Sequence, residues 1–142
     1  MGTQTVGPCG VSEAQPTFLF DNNLARQLAN GMKGFGESAV HLAEIWPEGD
    51  PGDEALLTEV GRRGFLLVTR DLKQRKRPPE LAAWKRHNLG VFTLAGKNRA
   101  RCDIIRQVVR SWAQMKEYAA KTDRPFYFRV PASGGKIERL PL

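Results

Sequence analysis

Three aspartates stand where a chain of alternating strands and helices would gather them. Asp21 ends the apolar run Thr17-Phe18-Leu19-Phe20, and Asp71 follows Phe65-Leu66-Leu67-Val68-Thr69 and Arg70. Asp53 opens a segment whose apolar stripe is Leu56, Leu57 and Val60. In open parallel sheets, ligands bind outside the carboxyl ends of the strands, and the helices that follow those strands begin at the same edge. Converging carboxylates repel one another unless a cation sits between them. Hard divalent ions such as Mg²⁺ take oxygen ligands and keep several waters, and such a centre can activate water and clamp a phosphodiester. Each aspartate also has a plainer reading. Asp21 and Asp53 suit helix N-caps, and for either one alone the cap is the stronger reading. Asp71 follows a buried strand with no obvious apolar helix beside it, so three acids at one edge favour a metal site.

A basic run, Lys73, Arg75, Lys76 and Arg77, starts two residues after Asp71. A charge run is usually a solvated loop, but beside an acidic centre this one is placed to hold the phosphates of a polynucleotide. Lys97, Arg99 and Arg101 follow the fourth strand onto the same edge. Among weaker candidates, Glu44 follows the second strand and could reach the edge as a further acid. Glu54 points differently round its helix, and Asp103 suits a helix N-terminus. His41 reads as a strand residue packed near the surface. Cys102 has no base to activate it and reads as structural.

The elements that position these residues come from periodicity. Short apolar runs at 17–20, 38–42, 65–69 and 90–94 read as strands, with the third apolar on both faces, as in a parallel sheet covered by helices. Between them lie helical patterns. The first starts at Asp21-Asn22-Asn23, carries Leu24, Leu28 and Met32, and closes on Gly31, Gly34 and Gly36. The second runs from Asp53 to Gly61 and Gly64. The third follows Pro78-Pro79, with Leu81 and Trp84 inward. The last covers roughly 99–120, with Ile105, Val108, Val109, Trp112 and Met115 as its stripe. Pro125 to Val130 and Lys136 to Leu140 flank Ser133-Gly134-Gly135 as a terminal hairpin. The alternation predicts an α/β domain with a mainly parallel sheet and right-handed crossovers.

Composition narrows the function classes. The 142 residues suit one domain, and 41% apolar with 26% charged residues is an ordinary globular balance. No apolar run reaches the length of about 20 residues that spans a bilayer. Residues 1–16 lack a basic start and an apolar core, so they read as a disordered tail rather than a secretory signal. The domain is expected to cover 17–142. Two cysteines, Cys9 and Cys102, make neither a disulfide framework nor a zinc site, so a reducing cytoplasm is the expected compartment. A net charge of +7 suggests a polyanionic partner. There is no Gly-rich phosphate loop, and no Ser/His/Asp pattern uses His41 or His87.

The residues Phe18-Leu19-Phe20-Asp21-Asn22-Asn23-Leu24, Asp53-Glu54-Ala55-Leu56 and Thr69-Arg70-Asp71, followed by Arg75-Lys76-Arg77-Pro78-Pro79-Glu80, resemble the PIN-like superfamily. The closest likeness is to the VapC45-type PIN-like domain, and Arg124-Pro125-Phe126 extends it toward the C-terminus. The resemblance implies a three-layer α/β/α domain and a ribonuclease toxin of the VapBC toxin–antitoxin type. It implies Mg²⁺ or Mn²⁺ held by Asp21, Asp53 and Asp71, a cognate antitoxin, and a homodimer. The chain departs from related PIN-like families at Lys73, where those carry a second acid. Glu44 and Asn98 are the substitute ligands available to a fuller site. The alternative is a non-catalytic RNA- or antitoxin-binding module with a degenerate metal site.

Overall fold

The computed structural model describes residues 16–70, 77–97 and 99–142. Its elements are β1 (Phe18–Phe20), α1 (Arg26–Gly34), β2 (Ala39–His41), α2 (Leu42–Ile45), α3 (Asp53–Arg63), β3 (Leu66–Arg70), α4 (Pro78–Arg86), β4 (Gly90–Leu94), α5 (Arg101–Lys121), β5 (Phe126–Val130) and β6 (Glu138–Arg139). Among the described residues six strands form one sheet in the order β2-β1-β3-β4-β5-β6. β1 pairs in parallel with β2 and β3, and β3–β4 and β4–β5 are also parallel. β5 and β6 close the chain as an antiparallel pair. The α/β class, the mainly parallel sheet and the terminal hairpin are as the sequence predicts.

Strand period two divides the core between the two faces of the sheet. Phe18, Phe20, Leu66, Val68, Phe92 and Phe128 pack on one face under α1 and α5. Leu19, Leu67, Val91 and Tyr127 pack on the other under α3 and α4, where Trp84 meets Tyr127 edge-on at 5.1 Å. The result is a three-layer sandwich. The chain leaves β1 toward β2, then returns past β1 to β3. The strand order therefore reverses between β1 and β3, and that is where such sheets open a ligand crevice.

One topological expectation fails. α4 and α5 lie on opposite faces, although the steps β3 to β4 and β4 to β5 run in the same direction across the sheet. Two parallel crossovers of that kind have opposite hands. The β4–α5–β5 connection therefore reverses the hand shared by the other three. The packing reason lies in α5 itself. Trp112 sits 4.5 Å from Phe18 and 6.1 Å from Phe20, centroid to centroid, and Lys116 donates to the buried carboxylate of Glu37 ahead of β2. Gln107 completes the attachment by donating to the carbonyls of Ala95, Val130 and Pro131 at the ends of β4 and β5. Arg124, before a cis Pro125, donates to the Phe65 carbonyl and so ties the start of β5 to the start of β3.

Local corrections follow from the same packing. α1 starts at Arg26 with Ala25 as its N-cap, so Asp21 does not cap it. Gly31 lies inside that helix. Gly64, at φ 71°, is the left-handed stop of α3, whereas Gly61 is a point of close approach. A Cβ there would lie 2.8 Å from the His87 carbonyl oxygen, while one at Gly31 would meet nothing within 4 Å. Alanine at both sites gains helix propensity, about 1 kcal/mol. At Gly61 that gain is outweighed by the overpacking cost of about 1–3 kcal/mol. Urea midpoints should therefore fall for Gly61→Ala and rise for Gly31→Ala, and a rise for both would refute the close α3–α4 contact. His41 is buried rather than near the surface. Its Nε2 donates to the Leu24 carbonyl and its Nδ1 accepts from Ala43, so the ring fastens β2 to the start of α1. Cys102 is an exposed free thiol. Ile105 and Val109, expected inward, are 40% and 52% exposed.

Candidate functional site

Asp21 leaves β1 at the crevice between β1 and β3. Its backbone N–H still donates to the Val68 carbonyl, so the β1–β3 ladder runs to the aspartate itself. Oδ1 accepts from the Asn22 N–H at 2.7 Å, and Oδ2 accepts from the Thr69 hydroxyl at 2.9 Å. Asn23 donates from Nδ2 to Thr69 Oγ1 at 3.2 Å and accepts the Arg70 N–H at 3.3 Å. This network clamps the ends of β1 and β3 side by side. Among the described residues each Asp21 oxygen accepts one hydrogen bond, which leaves lone pairs for a further partner.

Asp21 and Asp53 line one cavity of about 350 Å³, with Thr69, Leu67, Leu57 and Trp84 among its walls. Asp53 is exposed and is the first residue of α3, with Gly52 as the N-cap. It is therefore not the capping residue either, although the helix dipole favours its charge. Glu54 and Glu80 line the same cavity, but both are tied to α4. Glu54 accepts from His87 at 2.9 Å and Arg86 at 3.3 Å. Glu80 accepts the Arg77 N–H at 3.0 Å and so caps the first turn of α4. Among the described residues no three His, Cys, Asp or Glu side chains are grouped so as to hold one metal ion. Oxygen donors of this kind suit a hard divalent cation, and the described part of the centre contributes Asp21 and Asp53.

Asp71, Lys73, Arg75, Lys76 and Asn98 lie outside the described residues, as does the expected tail up to residue 15. Asp71 follows directly on Arg70, the last residue of β3. Of the basic run, the described Arg77 lines the cavity with Asp21 and Asp53. Lys97 is exposed beyond the end of β4. Arg99 is half-buried and donates to the Ala132 carbonyl at 3.2 Å. Glu44 turns away from the cavity into its own corner, where it accepts from Lys33 and from the His41 N–H at 2.8 Å. Partial burial works against its ionisation, but the Lys33 ammonium and the His41 N–H outweigh it and hold the carboxyl below its ordinary range. Since its folded value is depressed, Glu44 favours folding at neutral pH, and that contribution fades as pH falls through its folded value.

Reading the residues singly misses Thr69 and Asn23 as organisers of the site. Both sit in the quoted motifs, but their contact joins positions 46 apart in the chain, and no local pattern signals it. Among the described residues, no helix is long and apolar enough to cross a membrane.

A family described as a PIN like domain matches residues 16–96, more than half of the 142 residues. The chain belongs to that family. No curated protein and no solved structure matches it. The matched span takes in Asp21, Asp53 and Asp71, and it stops before α5.

Proposed function

We propose that this chain is a Mg²⁺- or Mn²⁺-dependent endoribonuclease, the toxin of a VapBC-type toxin–antitoxin pair, acting in the cytoplasm. One observation carries the reading. Asp21 and Asp53 come from separate elements yet line one cavity at the strand-order reversal, in a chain of the PIN-like family. Asp71, next after Arg70 at the end of the neighbouring strand, is the third ligand in this reading. A divalent ion bound there would supply an activated water and neutralise charge on the scissile phosphate.

The chain's own residues have separate tasks. Asp21, Asp53 and Asp71 hold the ion. Thr69 and Asn23 fix the Asp21 carboxylate against β3. Arg77, with Lys73, Arg75 and Lys76, takes the flanking phosphates, and Lys97 and Arg99 extend that contact along the edge. A cognate antitoxin and a second copy of the chain are the protein partners of this reading. The test is cleavage of a fluorescent RNA by the purified chain. Activity should appear with Mg²⁺ or Mn²⁺ and vanish on chelation, and chelator-resistant cleavage would end the metal reading. Lys73, in place of the second acid of related families, favours a second reading as a non-catalytic RNA- or antitoxin-binding module. RNA binding without cleavage at any divalent-ion concentration would select it.

A further inference from the structure

A second hollow opens beside the acidic crevice, on the other face of the sheet from Trp84. It is a groove of about 620 Å³ between α1 and α5. Leu28 and Met32 of α1 form its buried floor, one helical turn apart. Its rims are apolar and open to solvent, with Phe35 77% exposed on one side and Ile105 and Val109 on the other. Apolar side chains grouped in this way mark an interaction surface far more often than an isolated exposed residue does. One end is different. Arg70 at the end of β3, and Arg99 and Arg101 at the start of α5, line it there with Asn22 and Asn23, the two residues after Asp21. Among the described residues no Asp or Glu lines the groove, and none of the three arginines forms an ion pair with a carboxylate.

We propose that this groove docks an amphipathic peptide segment of a partner protein. Its apolar side chains would seat between Phe35 and the Ile105–Val109 ridge, and its Asp or Glu residues would meet Arg70, Arg99 and Arg101. Charge complementarity selects this occupant. A polynucleotide carries a phosphate at every step, and most of the groove would set those charges over aliphatic walls with no cation. A second copy would bring the same arginines and another +7 surface to a self-complementary contact. The arginine end adjoins the crevice, so a docked acidic end occupies the guanidinium of Arg99 that the nuclease reading gives to RNA. Docking and RNA binding then exclude one another. That consequence rests on the nuclease reading, while the docking itself rests on the groove alone. The α5 wall lies beyond the family match.

The experiment selects a displayed library of short random peptides on the purified full chain and measures synthetic winners by fluorescence anisotropy. Enriched peptides should pair Leu, Ile or Phe with neighbouring Asp or Glu, and should bind more weakly as salt rises. Ile105→Asp/Val109→Asp should weaken them about tenfold or more, since two apolar contacts are lost. Arg99→Gln/Arg101→Gln should weaken them and flatten the salt dependence, with circular dichroism confirming that both variants fold. Winners without acids, winners indifferent to both variants, or no enrichment would overturn the proposal. Loss of oligonucleotide binding with no peptide effect in Ile105→Asp/Val109→Asp would make the groove a nucleic-acid channel. A dimer seen by sedimentation that this variant splits would give it to a second copy. A chain that binds the peptides but never cleaves RNA loses the nuclease reading and keeps the docking site.

Discussion

Asp21→Asn should fold as the wild type does and lose RNA cleavage by on the order of a hundredfold or more, the typical cost of removing one group that acts on charge at the reacting centre. The fold should survive because asparagine reproduces the shape. Its Oδ1 can still accept the Asn22 N–H, and its Nδ2 can donate to Thr69 Oγ1, which already accepts from Asn23. What changes is that the Thr69 hydroxyl proton loses its acceptor, a loss of about 1 kcal/mol. The activity should not survive, because the substitution removes the negative charge that attracts a divalent ion. Asp53 is exposed and makes no hydrogen bond among the described side chains that asparagine would break, so Asp53→Asn should be still closer to silent for stability. Combined, the two substitutions should cost little more than either alone, since groups that act as one unit are not additive. Initial rates on a fluorescent RNA, with Mn²⁺ affinity by calorimetry and folding by circular dichroism, separate these effects. Unchanged cleavage in Asp21→Asn, or lost cleavage with unchanged Mn²⁺ binding, would remove Asp21 from the ion.

Much of this arrangement was legible because strands of a covered parallel sheet advertise themselves. Gly90-Val91-Phe92-Thr93-Leu94 is apolar on both faces and becomes β4 with those bounds, and Asp21, directly after the run Phe18-Leu19-Phe20, stands at the carboxyl end of β1. The misreadings have a common cause. The stripe of α5 contains more apolar residues than one helix face can bury, so the periodicity alone could not say that Val108, Trp112 and Met115 turn inward while Ile105 and Val109 stay exposed. Likewise Asp, Asn and Asn after a strand look like a cap, but the side chains of Asp21 and Asn23 are drawn to Thr69 and Arg70 on the neighbouring strand, and the helix begins later. His41 misleads for the same reason, since its two ring partners are backbone groups on separate elements. The face chosen by α5 depends on Glu37, Trp112 and Lys116 meeting across the fold, which no local window contains.

That meeting supports the second large expectation, that Lys116→Met lowers the stability of the chain by about 3–5 kcal/mol. Glu37 and Lys116 have side chains only 5% and 3% exposed, with Nζ 2.8 Å from Oε1. The same oxygen accepts from Trp112 Nε1 at 2.9 Å. Methionine fills the volume of the lysine stem but supplies no charge, so a carboxylate would remain buried without its cation. The size of the loss comes from that stranded charge rather than from the net value of the pair, because taking two ions out of water nearly cancels their attraction. Glu37→Gln/Lys116→Met should therefore recover most of the loss, since the amide carbonyl still accepts the indole N–H and no charge is left behind. Urea unfolding of the wild type, Lys116→Met and the double variant at neutral pH measures the cycle. The pair joins α5 to the approach to β2, so Lys116→Met should also free α5 for local opening, seen as faster amide exchange along 108–116 than in the double variant. A Lys116→Met protein within about 1 kcal/mol of the wild type would mean that water reaches Glu37, and that apolar packing by Trp112 alone holds α5 on this face of the sheet.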